Sequence, residues 1–323
     1  MTPPRLRSAP TARLTAAMVA AACLGGLAMA APASTSAPTA APATPAPATA
    51  PSPAAGQALS TPPPALPRPA RRIVSLAPHL TELVFAAGGG DRLVGVGRHS
   101  DHPAAARRLP VVGDAFAINL EAVARLQPDL ILVWQSAVPP RQRERLRRLG
   151  VPVWESEIRT VEDLAGTLRA LDGLMGTTQG QAAATALLAR WSELKRTYGQ
   201  RTPVRVFYQV WDAPLMTLND RHLIGSAIRA CGGVNPFGGL APLTPTVSWE
   251  AAVQADPQLV AAATGQLEAL RRAWARFPQV AAVRQGQIVG LPADWLTRMG
   301  PRFLDGAQAL CEAIDAARRP GGH

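Results

Sequence analysis

One long amphipathic helix near the middle of the chain constrains the fold most. Between Thr178 and Tyr198 the apolar residues recur at steps of three and four, the spacing of one helical face. These residues are Ala184, Leu187, Leu188, Trp191, Leu194 and Tyr198. Thr177 or Thr178 is suited to cap the start, and Gly199 ends the segment. A helix about 30 Å long over residues 177–199 predicts a stiff strut rather than a flexible hinge.

The segments on either side of this helix have similar patterns. Residues 71–176 and residues 200–318 both alternate short apolar strands with helices. Alternation of this kind predicts mostly parallel sheets that are covered by helices on both faces. We therefore expect an α/β protein with two lobes, one on each side of the linking helix.

A short internal repeat indicates that one lobe duplicates the other. In the first lobe Asn119 is followed by Glu121, and Pro128 comes seven positions after the glutamate. Ser248, Glu250 and Pro257 repeat this spacing in the second lobe. Each polar residue is placed to cap a helix that leads into a strand, and each glutamate falls in the first helical turn.

The first seventy residues are predicted to lie outside both lobes. Arginines precede an apolar run over residues 14–29, and Ala28-Met29-Ala30 has the form of a cleavage site. Residues 1–30 are therefore predicted to be a secretory signal peptide, with Cys23 as an alternative lipid-attachment site. Residues 31–70 are rich in Ala, Pro, Thr and Ser, which predicts a disordered, semi-extended tether.

The positive charge of the chain is not typical of a nucleic-acid-binding protein. The formal net charge is +11, but Lys195 is the only lysine. The predicted lobes lack interleaved aromatic residues and any recognised nucleic-acid motif. The basic run over residues 141–148 is interpreted as the solvated face of a short helix.

Two cysteines remain after removal of the predicted signal peptide. They are Cys231 and Cys311. In an oxidising compartment an even pair of this kind predicts one disulfide bond.

Aromatic residues follow several of the predicted strands. Trp134 ends one strand, Trp211 follows another, and Asp294-Trp295 follow the last, with Arg298 close by; Phe116 lies in a loop. Ligands of open α/β sheets bind beyond the carboxyl ends of the strands. This set predicts a cleft that takes a large flat ligand by stacking and apolar burial.

A different class of function remains open at the loop that contains His99, Asp101 and His102. These residue types bind metals, so a metallohydrolase is the alternative. The sequence places no further His or Cys to complete a tetrahedral set, and it contains neither G-x-S-x-G nor H-E-x-x-H. An ordinary turn ahead of Pro103 is the favoured interpretation.

Several motifs together resemble a known family. They are Arg72-Ile-Val-Ser-Leu-Ala-Pro, Thr81-Glu-Leu, Val94-Gly-Val, Ser100-Asp-His-Pro103, Asn119-Leu-Glu, Pro128-Asp-Leu and the late cysteine pair. They resemble the periplasmic cobalamin (vitamin B12)-binding proteins of ABC importers, in the helical-backbone metal receptor group. Haem and siderophore binders of the same group are the alternative. The resemblance covers residues 71–317.

The resemblance implies two Rossmann-like lobes joined by one long helix, with a corrinoid held between them. It places Asp294, Trp295 and Arg298 in the ligand-contacting segment. His99 stands where the family has a Tyr, and Phe116 where it has a Trp. The chain also lacks a family Trp near Thr244. A His at position 99 that faces the cleft would be an axial ligand for cobalt or iron.

The resemblance also implies a partner. Glu121 and Glu250 match family glutamates that dock on arginines of a dimeric ABC permease in the inner membrane. The protein is then expected to be a monomeric carrier of a small-molecule ligand, with no enzymatic activity, no resident cofactor and no nucleic-acid partner.

Overall fold

A computed structural model of the chain describes residues 60–319. The predicted signal peptide, Cys23 and most of the predicted tether lie outside the described residues. No helix in the described range is long and apolar enough to cross a membrane.

Four parallel strands form the first sheet. The strands are β1 (Ile73–Ser75), β2 (Leu93–Val96), β3 (Leu130–Trp134) and β4 (Val153–Ser156). The helices of this half are α1 (Pro78–Ala86), α2 (Leu120–Arg125), α3 (Pro140–Arg147) and α4 (Val161–Met175). The strand order is β2-β1-β3-β4. The central strand β3 is apolar throughout because both faces of the sheet are covered.

The second half follows the helix α5 (Gln179–Tyr198). Its strands are β5 (Val204–Tyr208), β6 (Trp211–Asp212), β7 (Leu215–Met216), β8 (Gly233–Val234), β9 (Leu259–Ala263) and β10 (Ile288–Leu291). Its helices are α6 (Leu223–Ala230), α7 (Trp249–Gln254), α8 (Leu267–Trp274), α9 (Ala281–Arg284), α10 (Ala293–Leu296) and α11 (Phe303–Ala317). The strands β6 and β7 form a small antiparallel hairpin.

The two main sheets share one topology. The second sheet has the order β10-β9-β5-β8, and all of its pairings are parallel. Counted in chain order within its own sheet, each half therefore has the strand order 2-1-3-4. The prediction of two similar α/β halves with mostly parallel sheets is confirmed.

The repeated sequence motif forms the same local structure twice. The side chain of Asn119 accepts a hydrogen bond from the backbone N–H of Ala122 at 2.9 Å. Ser248 accepts from Ala251 at 3.1 Å in the same way. Gln127 and Asp256, which precede the two prolines, both have positive φ, at 44° and 41°. The caps and the strand entries of the two halves therefore match.

The linking helix α5 agrees with the sequence prediction except at its start. Ala184, Leu187, Trp191 and Leu194 are buried along one face. Thr178 makes no capping bond through its side chain. Instead, the carboxylate of Asp172 in α4 accepts from the backbone N–H groups of Gly180 and Gln181 at 2.8 and 2.7 Å. The predicted threonine cap is wrong because a carboxylate from the preceding helix satisfies those donors.

The last part of the predicted tether packs against the first sheet. Residues 60–70 are called the strap below; its first two residues, Ser60 and Thr61, lie beside the edge strand β4, and the rest continues along α4. The backbone N–H of Thr61 donates to the carbonyl of Glu155 at 3.1 Å, and the Trp154 indole donates to the Thr61 carbonyl at 3.0 Å. The hydroxyl of Ser60 accepts from the backbone N–H of Glu157 at 2.8 Å. The strap thus satisfies backbone groups of β4 that an exposed edge would leave unpaired.

A disulfide ties the closing helix to the second half. Cys231 follows α6 and Cys311 lies in α11; their sulfur atoms are bonded and their Cα atoms are 4.8 Å apart. Both cysteines are fully buried. The chain between them spans 80 positions.

Candidate functional site

A large cavity lies at the carboxyl ends of strands from both sheets. It encloses about 1110 Å³ of empty space, including its open mouth. Trp134 and Glu157 reach it from the ends of β3 and β4, and Tyr208 and Ala263 from the ends of β5 and β9. Parallel strands of open sheets leave their ligand site at this edge. The cavity therefore occupies the position at which the sequence predicts a cleft.

Three aromatic side chains line this cavity. They are Trp134, Tyr208 and Trp211. Trp134 is held edge-on by His79, with ring centroids 5.2 Å apart, whereas Trp211 is 53% exposed. Burial raises the pKa of Tyr208 to about 12. Aromatic walls of this kind suit a ligand with a wide apolar face.

Polar groups cluster at one side of the cavity. Glu157 is 5% exposed, and its carboxylate accepts from the backbone N–H and the hydroxyl of Ser136 at 3.1 and 2.6 Å. Arg159 lies on the other side of the same carboxylate, with Nε 3.4 Å from Oε1. A few placed polar groups in an otherwise apolar cavity are typical of a small-molecule site.

One histidine also lines the cavity, at the start of α6. The Nδ1 atom of His222 accepts a hydrogen bond from the backbone N–H of Ile224 at 3.1 Å. An accepting Nδ1 carries no proton, so the neutral ring carries its proton on Nε2. Burial lowers the pKa of His222 to about 4, which keeps the ring neutral at ordinary pH. His222 therefore offers the cavity a hydrogen-bond donor rather than a metal ligand.

Of the predicted ligand-binding residues, Trp134 and Trp211 line the cavity. Phe116 and His99 do not belong to its lining. Phe116 is 78% exposed in the loop after Asp114. His99 is exposed as well, with a φ of 66°.

The remaining predicted residues form an ion-pair cluster beside the cavity. Arg298 Nη1 lies 2.5 Å from Asp101 Oδ1, and Nη2 lies 3.1 Å from Asp294 Oδ1. The hydrogen bond from Arg298 lowers the pKa of Asp101. Trp295 is half-buried next to this cluster. Leu296, Thr297 and Met299 of the same segment line the cavity, so the predicted segment reaches the site through its neighbouring residues.

The alternative metal site is not formed. Within residues 60–319 no group of three or more His, Cys, Asp or Glu side chains is placed to hold a metal ion. Asp101 is paired with Arg298, and His99 and His102 are exposed around it. The alternative grouping of His99, Asp101 and His102 as metal ligands is therefore not formed, because Arg298 from the second half pairs with the Asp101 carboxylate.

Glu157, Arg159 and His222 were not among the residues predicted from the sequence. The strand β4 continues past Trp154 to Ser156 and so brings the next polar residues to the sheet edge. The alternating pattern of Glu155, Glu157 and Arg159 was the available signal. For His222, the signal was a polar residue directly before the apolar helix α6.

The two matched glutamates are exposed at equivalent places. Glu121 and Glu250 each lie in the first turn of a short helix, α2 and α7. Hydrogen bonds to its own backbone and to Ser248 lower the pKa of Glu250. Each helix leads back into the third strand of its sheet, which places its N-terminus near the carboxyl ends of the strands.

Known proteins are similar to this chain in sequence and in architecture. Residues 73–295 match the model of a family described as periplasmic binding protein. A vitamin B12-binding protein of Vibrio cholerae is 37% identical over 261 residues, which are 79% of this chain and 93% of that protein.

Solved structures agree with the sequence comparison. The periplasmic vitamin B12 binding protein BtuF of Vibrio cholerae superposes with a TM-score of 0.71 at 36% identity, covering 78% of this chain and 99% of that chain. A periplasmic haem binding protein from Pseudomonas aeruginosa gives 0.64 at 25% identity, covering 78% and 95%. The family match covers most of the chain, and the fold agrees with it in the duplicated sheets, the linking helix and the cavity between the strand ends. The chain belongs to the periplasmic binding protein family.

Proposed function

We propose that this protein binds a corrinoid, cobalamin (vitamin B12), in the cavity and delivers it to an ABC permease. The observation that carries the proposal is the aromatic cavity with a cluster of polar groups around Glu157, at the carboxyl ends of both sheets. A corrinoid has a wide macrocycle and polar groups at its periphery, so it matches both parts of this lining. The relative from Vibrio cholerae, a vitamin B12-binding protein, supports the same ligand.

Two cavity residues favour a corrinoid over haem. Haem iron in a protein is commonly held by a His nitrogen or a Tyr phenolate. His222 has its accepting nitrogen occupied by the α6 cap. Tyr208 has its pKa raised to about 12, which disfavours the phenolate. A corrinoid needs neither group because its cobalt arrives with ligands of its own.

Binding is tested directly by colour. The protein is incubated with cyanocobalamin or with haemin and desalted, and the visible spectrum is recorded. We expect cyanocobalamin to be retained. Trp134→Ala should weaken its binding about tenfold or more, because an aromatic contact is worth on the order of 1 kcal/mol beyond area burial. Phe116→Ala, on an exposed loop, is the matched control. Retention of haemin alone would contradict the proposal.

We infer that Glu121 and Glu250 dock the loaded protein on its permease. Both carboxylates are exposed, and the shared strand order places them at equivalent positions of the two halves. A dimeric permease offers two equivalent basic sites, and symmetric partners favour symmetric contacts. Arg–carboxylate contacts would steer association and fix orientation more than they would add affinity.

Charge reversal separates docking from ligand binding. Glu121→Arg or Glu250→Arg should leave cyanocobalamin binding intact and abolish uptake in cells, and the double variant should be no worse. Glu162→Arg is the control, because Glu162 is also an exposed first-turn glutamate, in α4, but lies outside the repeat. Full uptake by the double variant would leave both glutamates with only their favourable interaction with the helix dipole.

We also propose that the protein reaches the periplasm through the signal peptide at residues 1–30. Cleavage after Ala30 yields a free periplasmic protein, whereas processing at Cys23 yields a lipid-anchored one. The mass of the mature N-terminal peptide distinguishes these outcomes. An unprocessed Met1 in secreted material would contradict both.

A further inference from the structure

A second, smaller pocket adjoins the cavity at the carboxyl ends of β3 and β4. It is called the polar niche here and has about 410 Å³ of empty space. Its lining is Gln135, Ser136, Arg143, Glu157 and Arg159. Ser136, Glu157 and Arg159 also line the cavity, so the two spaces share a wall. A ligand in the cavity therefore has a polar recess beside it.

Glu157 gives the niche a buried carboxylate with one oxygen still able to accept hydrogen bonds. Its Oε2 atom is used by both donors of Ser136. Its Oε1 atom has only Arg159 Nε, at 3.4 Å. A carboxylate oxygen accepts more than one hydrogen bond. A ligand N–H at this position would complete the coordination of Oε1.

Other niche groups lack partners altogether. The Oε1 atom of Gln135 and the Nε–H of Arg143 are buried without a hydrogen-bond partner among residues 60–319. Arg143 is held in place by an ion pair with Glu155. Buried polar groups without partners are rare in native structures, and each one calls for an explanation, of which a bound water or ligand group is one. Gln135 and Arg143, which both line the niche, thus carry one unpaired acceptor and one unpaired donor.

This combination selects between two kinds of ligand group. A primary carboxamide has two N–H donors and one carbonyl acceptor, so it satisfies both kinds of niche atom. A carboxylate has acceptors only, so it would leave Glu157 Oε1 without a further donor. Because Arg143 is already paired with Glu155, only Arg159 would offset the repulsion between a ligand carboxylate and the buried charge of Glu157.

We propose that the polar niche is a subsite for one primary carboxamide side chain of the ligand and that it discriminates against the corresponding carboxylate. The inference rests on the proposed function, since a corrinoid carries primary carboxamides around its ring. Glu157 accepts from the amide nitrogen, and Arg143 or Arg159 donates to the amide oxygen. The niche then fixes which edge of the ring enters the first half of the protein.

The test uses cyanocobalamin and its monocarboxylic acids, in each of which one peripheral amide is hydrolysed. At pH 7 we expect at least one monoacid to bind wild-type protein about tenfold more weakly than cyanocobalamin, the effect of one unpaired buried polar group. Glu157→Gln keeps the side-chain shape and removes the charge. Because Ser136 donates to the other oxygen, the substitution places an N–H donor where the accepting Oε1 was. It should therefore strengthen binding of that monoacid and weaken binding of cyanocobalamin, so that the discrimination between them falls about tenfold.

Glu144→Gln, on the exposed face of α3, is the matched control and should leave the discrimination unchanged. Arg159→Gln, at a half-buried position, is a second variant that should weaken cyanocobalamin itself. Equal affinity of wild-type protein for cyanocobalamin and every monoacid would overturn the subsite and leave the proposed function intact. If wild-type protein and Glu157→Gln discriminate equally between cyanocobalamin and the monoacids, the subsite is likewise overturned and the proposed function is not. Failure to bind cyanocobalamin at all would overturn the proposed function, and the subsite with it.

Discussion

Arg302, directly before α11, donates two hydrogen bonds to the carboxylate of Glu82 in α1, at 3.0 and 2.6 Å, although 220 positions separate them in the chain. Glu82 is 4% exposed. Its hydrogen bond raises the pKa of Arg302, and Arg298 lies 3.7 Å from the same carboxylate. A helix of the first half is thus joined to a helix of the second half through one buried charge.

Removing Arg302 should destabilise the protein strongly. Arg302→Met leaves Glu82 buried with only the more distant Arg298, and breaking a buried pair in this way costs about 3 kcal/mol or more. Denaturant unfolding measures the loss. The control is Arg190→Met, whose partner Asp305 is 40% exposed and whose loss should cost less than about 1 kcal/mol. Equal effects of the two changes would show that the buried carboxylate contributes no more than a surface charge.

The two halves should rotate little on ligand binding. The buried face of helix α5 packs into a hydrophobic core that contains residues of both halves. The Glu82–Arg302 pair is a second connection between the halves. Small-angle scattering of free and cyanocobalamin-bound protein should therefore give nearly the same radius of gyration. A large decrease, of the size produced by hinge closure, would show that the two connections do not hold the halves.

Stability should fall as pH decreases from 6.5. Burial lowers the pKa of His79 to about 3 and that of His222 to about 4, from a usual value of 6.5. Below pH 6.5 the unfolded chain therefore binds protons that the folded protein does not. Each histidine should cost about 1.4 kcal/mol per pH unit in this range.

The slope is measured by urea unfolding between about pH 6 and 5, above the usual pKa values of Asp and Glu, which are about 3.9 and 4.3. His79→Gln should flatten it by the contribution of one histidine. His102→Gln, at an exposed position, is the control. An unchanged slope in His79→Gln would show that His79 titrates normally in the folded state.

The role of His222 is distinguishable from metal ligation. His222→Ser keeps a good helix cap but removes the Nε2–H donor. It should weaken aquocobalamin binding without altering the visible spectrum of the bound ligand. Affinity of the wild-type protein should stay flat from pH 7 to pH 5, because His222 remains neutral there.

His99→Ala provides the comparison, since the sequence indicated His99 as an axial ligand. Its exposed position favours no change in spectrum or affinity. A spectral shift in that variant, together with a wild-type affinity that falls as the pH is lowered, would restore His99 as the ligand.

The disulfide should contribute about 4 kcal/mol, because it closes a loop of 80 positions. The double variant Cys231→Ala, Cys311→Ala should lose this amount in equilibrium unfolding. A reductant should lower the stability of the wild-type protein and leave that of the double variant unchanged. Alkylation of both cysteines in native, exported protein without reductant would contradict the pairing.

Features that depend on local spacing were predictable from the sequence. The period of α5 and the caps at Asn119 and Ser248 involve residues within a few positions of each other, so the structure reproduces them. The end of β4 was not predictable in this way. Its register is set by pairing with β3, where Trp134 lies opposite Ser156. That pairing brings Glu157 to the cavity.

Contacts between the two halves could not be predicted from the sequence for a similar reason. Asp101 and Arg298 are 197 positions apart, and neither neighbourhood indicates the other. Asp101 was a candidate ligand of the alternative metal site because the sequence did not show that Arg298 is its partner. Phe116 looked like a cleft residue because a loop aromatic gives no sign of the direction it faces.

The strap has a practical consequence for how the protein is produced. A version that begins at Arg71, the start of the predicted first lobe, loses the residues that occupy the free side of β4. The bare strand would then be a template for pairing with other molecules, and such a shortened protein should self-associate on purification. The useful starting point for recombinant material is therefore at or before Ser60, even though the composition of this stretch suggests only a spacer.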